Sequence, residues 1–436
     1  MIRRNTILLI AILVVAFAAR LVFAGFVVGF HADTKGDATD YHLLGKHLAS
    51  GDGYATVVGK PTGRRPPGLP FVLAGVYSVV GPNQAYARVL QVFLGVLVVW
   101  LVFLLGRRCF GETAGLLAAA FCAINPFLTF ISGFVLTENL YMSCMLGAFL
   151  LALTPDELMG GWRRSLAAIV LLVMATITRP TGMPLVIWVI ACLVVFARAP
   201  WRTRLVRAAV VSGVVLVLVL PWCFRNQAVF GGWVGLTTHG GITFFQGNNP
   251  KVISIPDYRG GVAPLAALPR FAEWSRMSEL DRDRFAWRLG REFVMVRWRD
   301  MPKVTWWKFQ RFWRLKSDVG LSGIKSGWWF NRNTLLGRVA AEFDAGLIYA
   351  SVAFPLFILG MWWTRRRWRD LLFLYGVVIV HTMIGLLFFG SIRGRIPIEP
   401  VIAIFASYDL IKLVGAVRER VSGAGRPGSA QDPAGT

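Results

Sequence analysis

Carboxylates and guanidiniums set at the ends of long apolar runs are the residues of this sequence that could do chemistry. Asp37 follows the first such run, in Gly36-Asp37-Ala38-Thr39-Asp40-Tyr41. A carboxylate at a membrane–water boundary is only partly solvated, which can raise its pKa towards that of a useful base. The same residue also reads as the N-cap of a short helix through Tyr41 and Leu48, a position Asp favours. Asp40 is the second carboxylate of this segment, and the sequence does not choose between the two as base. Glu138 lies in Phe134-Val135-Leu136-Thr137-Glu138-Asn139-Leu140, where an acid embedded in apolar sequence marks a functional site by default. Its plainer reading is a first-turn residue of a helix capped by Thr137.

Arginines recur beside these acids. Arg179 stands in Thr178-Arg179-Pro180-Thr181-Gly182, Arg225 in Pro221-Trp222-Cys223-Phe224-Arg225-Asn226, and Arg393 and Arg395 in Ser391-Ile392-Arg393-Gly394-Arg395-Ile396-Pro397. All four fall at span ends where the positive-inside rule places few cations. A phosphate-bearing ligand explains them, because guanidinium forks bind phosphate bidentately; general snorkelling to lipid headgroups is the alternative. Arg20 sits within the first run, must face the bundle or a carboxylate, and reads as structural. Asp281-Arg282-Asp283 has the DxD form of a metal and nucleotide-sugar site. It lies in a charged amphipathic stretch with no soluble α/β domain around it, so it reads as a solvated helix face.

The elements that must position these residues are membrane helices. Hydrophobic residues make up 56% of the 436-residue chain and charged residues only 16%, against about 25% in ordinary domains. Mean hydropathy is +0.57. Runs of roughly 20 apolar residues span a bilayer, and in lipid they must be helices. We read about ten spans: Ile7–Gly29, Ala85–Gly106, Ala114–Ile131, Glu138–Leu153, a run ending at Thr178, Met183–Phe196, Val206–Trp222, Leu347–Trp363, Leu371–Phe389 and Ile396–Leu413. The first is read as an uncleaved span rather than a signal peptide because its apolar character continues past Arg20.

The net charge of +24 is not a nucleic-acid footprint. Its cations cluster between spans, at Arg107/Arg108, Arg163/Arg164, Arg202/Arg204/Arg207 and Arg365/Arg366/Arg367, the positive-inside pattern. Both termini are therefore expected in the cytoplasm, with large outer loops at 31–83 and 225–342. The stretch Glu273–Val304 carries Phe285, Leu289, Phe293 and Val296 at helical spacing, which suits a helix at the interface or packed over the bundle. The expected organisation is all-α, a polytopic helical bundle over 1–416 with short amphipathic helices in the outer loops. The Gly/Ala/Pro/Ser-rich tail 417–436 is expected to be disordered and cytoplasmic. Five Cys and five His are scattered, without CxxC or HExxH, so no zinc site or disulfide framework is indicated.

At these residues the sequence resembles a GT-C glycosyltransferase of the family 39 and ArnT-like superfamily, the dolichyl-phosphate-mannose protein mannosyltransferase group. The resemblance rests on Asp37 with Tyr41, Gly51-Asp52-Gly53-Tyr54, Arg65-Pro66-Pro67-Gly68-Leu69-Pro70, Thr137-Glu138 and Arg179-Pro180-Thr181-Gly182. It continues through Pro221-Trp222 with Arg225-Asn226, Gly247-Asn248-Asn249-Pro250, and Arg393 to Pro400. It implies transfer of a hexosyl or pentosyl group from a polyprenyl-phosphate donor, with inversion, at the outer face of the plasma membrane (the inner membrane in a Gram-negative cell). Asp37 takes the role of base, with Asp40 and Glu138 as further catalytic candidates. The donor phosphate falls to Arg65, Arg179, Arg225, Arg393 and Arg395, and the substrate pocket to Tyr41, Tyr54, Asn226 and Asn248. A divalent cation is possible, and lipid, glycan or protein are the candidate acceptors. Ala38 stands where the protein mannosyltransferases carry the second residue of an Asp-Glu pair, which weighs against a protein acceptor. The loop after Trp222 is expected to recognise the acceptor. A transporter or flippase for a lipid-linked or anionic solute is the competing reading, disfavoured because charges gather at span ends rather than deep within spans.

Overall fold

Apolar runs without water must close their own backbone hydrogen bonds, and the chain does so almost throughout as helix. The computed structural model describes residues 2–315 and 345–424. The end of the expected outer loop, 316–342, and the tail from 425 lie outside the described residues. In chain order the helices are α1 (Ile2–Val22, continued as a π-helix over Phe23–Gly29), α2 (Asp37–Ala49), α3 (Gly68–Val80), α4 (Gln84–Phe110), α5 (Glu112–Ile124), α6 (Pro126–Ser132) and α7 (Glu138–Leu151). Next come α8 (Pro155–Leu158), α9 (Trp162–Thr178), α10 (Gly182–Phe196) and α11 (Trp201–Phe230). The segment after α11 holds α12 (Gly240–Gly247), α13 (Lys251–Ser254), α14 (Phe271–Trp274), α15 (Glu279–Val296) and α16 (Met301–Phe312). The C-terminal part is α17 (Ala345–Thr364), α18 (Leu372–Leu387), α19 (Ile392–Arg395) and α20 (Glu399–Ala424). Strands β1 (Ala55–Val57) and β2 (Lys60–Pro61) form a small antiparallel hairpin.

Five of these helical stretches are long and apolar enough to cross a membrane, and six if the bent pair α5–α6 is one span. That is fewer than the sequence suggests. The other segments read as spans are short helices: α7 has 14 residues, α9 17, α10 15 and α18 16. At 1.5 Å per residue they rise about 21–26 Å, short of a hydrocarbon core of roughly 30 Å. Non-helical backbone at membrane depth is tolerated where neighbouring protein covers it. α7, for example, is buried at every residue from Glu138 to Leu146. α3 is an apolar helix inside what reads as a polar loop. α20 runs through 417–424, the start of the expected tail.

The 59° bend between α5 and α6 has an identifiable cause. Pro126 has no N–H for the carbonyl of Cys122, and the Asn125 side chain takes the N–H groups of Phe127 and Leu128. Arg20 supplies the missing donors, reaching the carbonyls of Cys122 at 3.0 Å and Ala123 at 3.3 Å. It therefore faces backbone, not a carboxylate. The amide of Asn125 donates to Glu399 on α20 at 2.9 Å.

The segment from α12 to α16 packs over one end of the bundle. Ile242, Phe245, Trp274 and Phe285 form one small core there, and Val252, Phe293 and Val304 another. Of the apolar positions expected on one face of α15, Phe285 and Phe293 are buried and Leu289 is packed against them, but Val296 is exposed. The Asp281/Asp283 pair is split. Asp281 joins the Ser278 cap, while Asp283 is buried and accepts the Gly241 N–H at 2.6 Å. A solvated face is thus the wrong reading for Asp283, which caps α12.

Candidate active site

α2 begins at Asp37 because Gly36 can adopt φ +59°, turning the chain sharply out of the first span. Gly36, not Asp37, is the cap residue. Thr137 likewise precedes α7 without capping it through its side chain. Both acids are free for longer contacts. The two oxygens of Asp37 are held by Arg65 Nη2 at 2.5 Å and Arg393 Nη1 at 2.6 Å. Glu138, fully buried, accepts from Arg393 Nε at 2.5 Å and Arg179 Nη1 at 2.6 Å on the same oxygen. Arg179 also donates to Thr137 Oγ1 at 3.3 Å. Arg65 Nε reaches Asp40 at 2.9 Å, with Arg64 3.7 Å from the same carboxylate. Arg65 lies over the Tyr41 ring, 5.6 Å from its centroid.

Close backbone packing brings these residues together. A Cβ on Gly68 would lie 2.7 Å from Thr178 Cα and 2.8 Å from its N. The start of α3, three residues after Arg65, thus meets the end of α9, one residue before Arg179. α19, a short turn between α18 and α20, swings Arg393 across the gap. The result joins Asp37, Asp40 and Glu138 to Arg64, Arg65, Arg179 and Arg393: three carboxylates against four guanidiniums, one positive charge in excess.

The pairing reverses one expectation. Burial pushes the Asp37 carboxyl up, but Arg393 and Arg65 pull it further down and hold it well below the ordinary carboxylate range. His239, behind Arg65 and Arg64, is held neutral by burial and by those cations, its pKa lowered to about 3. A divalent cation does not fit these residues as arranged, since each carboxylate is already engaged by arginine. Among the described residues no group of three or more His, Cys, Asp or Glu gathers as metal ligands do.

Other residues singled out from the sequence lie apart from this cluster. Arg225 donates to the carbonyls of Thr62 at 2.8 Å and Tyr54 at 3.2 Å and sits over the rings of Tyr54 and Trp222. Tyr54 in turn donates to the carbonyl of Arg65 at 2.9 Å. The two stand one layer behind the site and shape the loop that carries Arg65. Asn226 bonds Arg225 and the carbonyl of Gly235. Arg395 is fully buried, pairs with Glu399 at 3.1 Å and donates to the carbonyls of Phe312 and Arg314. Asn248 is consumed by Lys308 and the carbonyls of Phe244 and Leu387. These residues hold backbone or one another, although Arg395 Nη2 is buried without a hydrogen-bond partner among the described residues. Glu279 does the same and had no signal in the sequence: it accepts from Thr62 and Gly63 at 2.8 Å, and from Thr238. Beside the cluster, a cavity of about 250 Å³ is lined by Val28, Lys35, Ala38, Arg88, Phe134 and Val135. Ala38 neighbours Asp37, and Val135 lies three residues before Glu138.

Residues 64–224 match the family model described as dolichyl-phosphate-mannose-protein mannosyltransferase. That stretch includes Arg64, Arg65, Glu138 and Arg179. Among solved structures, ArnT from Cupriavidus metallidurans in the apo state is similar over 96% of this chain and 62% of its own, at 17% identity and TM-score 0.54. ArnT bound to undecaprenyl phosphate matches over 95% and 66%, at 17% identity and TM-score 0.52. The fold is similar to that of ArnT. The archaeal oligosaccharyltransferase AglB from Archaeoglobus fulgidus, in complex with an inhibitory peptide and a dolichol-phosphate, matches 98% of this chain and 52% of its own, at 15% identity and TM-score 0.51. The chain thus spans about half to two thirds of the length of the structures it matches. No curated protein matches it in sequence.

Proposed function

We propose that this chain is a membrane glycosyltransferase that moves a hexosyl or pentosyl group from a polyprenyl-phosphate donor to a lipid, glycan or protein acceptor, at the outer face of the plasma membrane. The observation that carries the reading is Arg393, whose guanidinium bridges Asp37 and Glu138 from a third part of the chain while the cluster keeps one cation in excess. ArnT bound to undecaprenyl phosphate and AglB bound to a dolichol-phosphate show that this fold accommodates lipid phosphates in those proteins.

In this reading the donor phosphate enters the cluster and competes for Arg65, Arg179 and Arg393. Guanidinium contacts hold the phosphodiester and then the extra charge on the departing phosphate. The acceptor O–H attacks the anomeric carbon. As the C–O bond forms, the bond from that carbon to the phosphate oxygen breaks, its electron pair leaves with polyprenyl phosphate, and the proton passes to Asp37. A carboxylate paired with two arginines is a weak base. Phosphate binding draws Arg65 and Arg393 away, so the donor itself raises the basicity of Asp37 when it is needed. Asp40 steers Arg65, and Glu138 holds Arg393 and Arg179 in place. Arg225, Arg395, Tyr54, Asn226 and Asn248 support the loops around them.

Purified full-length protein should bind undecaprenyl phosphate, and Arg65→Ala and Arg393→Ala should each weaken that binding at least tenfold. Cells carrying Asp37→Asn in place of the native gene should accumulate the sugar-charged lipid phosphate, read by mass spectrometry of the lipid fraction. No binding by the native protein, together with an unchanged lipid profile, would overturn the proposal.

A further inference from the structure

α16 presents two faces of opposite character. Val304, Lys308 and Phe312, spaced by one helical turn each, are 1%, 2% and 0% exposed. This face sits on the end of the bundle that carries the arginine–carboxylate cluster. Lys308 Nζ donates to the carbonyl of Leu387, the last residue of α18, at 3.2 Å. Phe312 fills the space where a Cβ on Gly385 would be, and its carbonyl is held by Arg395 at 3.1 Å. α16 therefore lies at the level where a membrane-embedded helix ends.

Its other face is aromatic and bare. Trp306 and Phe309 stack with centroids 5.5 Å apart and planes 12° apart, yet they are 56% and 37% exposed. At the α15–α16 junction Met295, Val296 and Trp298 are 66%, 78% and 64% exposed. Water-facing apolar surface of this extent marks an interaction site. Cations surround it. Arg297 pairs with Asp300 at 2.6 Å, whereas Arg299 and Lys303 lie over the rings of Trp298 and Trp307 with no carboxylate partner among the described residues. Tryptophan with Lys and Arg at the level of a span's end is the composition that sits among lipid headgroups.

We infer that the face formed by Trp298, Trp306 and Phe309, with Arg299 and Lys303, docks on the bilayer surface and binds anionic lipid headgroups in the leaflet beside the cluster. The rings enter the headgroup–acyl boundary and the two cations meet lipid phosphates. Because α16 grips Leu387 and, through Arg395, the turn that carries Arg393, this contact fixes the depth of the cluster relative to lipid phosphates. The inference does not depend on sugar transfer.

All five native cysteines are buried, so a spin label can be directed to one introduced thiol. Full-length Trp306→Cys, Phe309→Cys and, as an aqueous control, Arg276→Cys would be labelled and reconstituted in vesicles of phosphatidylcholine alone or mixed with phosphatidylglycerol. Labels at 306 and 309 should collide with oxygen in preference to a water-soluble nickel complex, and the label at 276 the reverse. Phosphatidylglycerol should deepen both, and Arg299→Glu with Lys303→Glu should cancel that response. Preference for the nickel complex at 306 and 309 would place the face in water and overturn the inference. Shielding from both reagents would show that protein covers it, which overturns it equally. Depth unaffected by phosphatidylglycerol would overturn the assignment of anionic headgroups.

Discussion

Asp37 and Glu138 differ in what removing them should do. Asp37→Asn keeps one carbonyl oxygen to accept from Arg65 or Arg393 and turns a donating NH2 towards the other; donor phosphate, which draws both arginines away, should still bind while turnover falls about 10²- to 10⁴-fold. Arg393→Lys keeps the charge but cannot span two acids at 2.6 and 2.5 Å, and should cost more in turnover than in thermal stability. Arg395→Lys should do the opposite, destabilising the fold because the fully buried contacts to Glu399 and Phe312 are lost. The depressed pKa of Asp37 sets a pH signature. Ionised above that pKa, it should give kcat/KM an acid limb well below the usual carboxylate range. With donor bound and its arginines diverted, the limb in kcat should move to higher pH; coincident limbs would show that the arginines stay on Asp37 throughout. The acids and Arg179 and Arg393 were legible because charge at the end of an apolar run requires a reason. The direction of the Asp37 pKa was not, since Arg393 lies 356 residues away in sequence. Nor could Arg225 or Arg395 be separated from the others: whether an arginine faces a ligand or a carbonyl is decided by tertiary packing alone.

At the scale of elements, the contact between the start of α3 and the end of α9 is backbone against backbone. Gly68→Ala cannot be absorbed by a side-chain shift and should push Arg65 away from Arg179, costing about 1–3 kcal/mol and weakening undecaprenyl phosphate binding in the folded fraction. α12 and α15 carry a second dependence. Burial raises the Asp283 pKa to about 6 despite the Gly241 and Ile242 N–H groups it accepts. A carboxyl with a raised folded pKa favours the folded state below its unfolded value near 3.9, and that advantage is lost as pH rises towards 6. Amide exchange in 240–247, corrected for intrinsic rates, should therefore speed up by as much as about tenfold per pH unit across that window. Asp283→Asn should flatten the response. Such helices were only partly legible. The apolar period of α15 could be read, but α3 was hidden between Gly- and Pro-rich stretches, and α7, α9, α10 and α18 looked like full spans. Hydropathy registers apolar length, while helix length also depends on breakers such as Pro180 and on tertiary packing.

For the whole molecule, the basic clusters gather at the end of the bundle away from the site. Arg108 and Arg164 meet Glu157, and Arg367 reaches the carbonyl of Cys109, whereas Glu138 and Arg179 occupy the opposite ends of α7 and α9. If the clusters are cytoplasmic, thiols introduced as Val58→Cys and Arg276→Cys, both exposed positions, should react with an impermeant maleimide added outside whole cells. Protection of both would invert the orientation and move the proposed chemistry to the cytoplasmic face. The all-α membrane architecture was legible because composition alone enforces it. How many segments cross the full thickness was not.

Arg20 also constrains the order in which the chain can be made. A lone arginine at mid-span costs about 2.5–3.5 kcal/mol to insert, and besides the carbonyl of Ala16 one turn back in its own helix, its carbonyl partners lie 102 and 103 residues further on. At about 5–20 residues per second, roughly 5–20 s of synthesis separate the first helix from the groups that settle it. During that interval the first helix is an incomplete membrane segment, held at the insertion machinery or leaning on lipid phosphates. The carbonyls freed at Pro126 complete the set of partners that Arg20 finds in the bilayer, long before the turn that carries Arg393 is made.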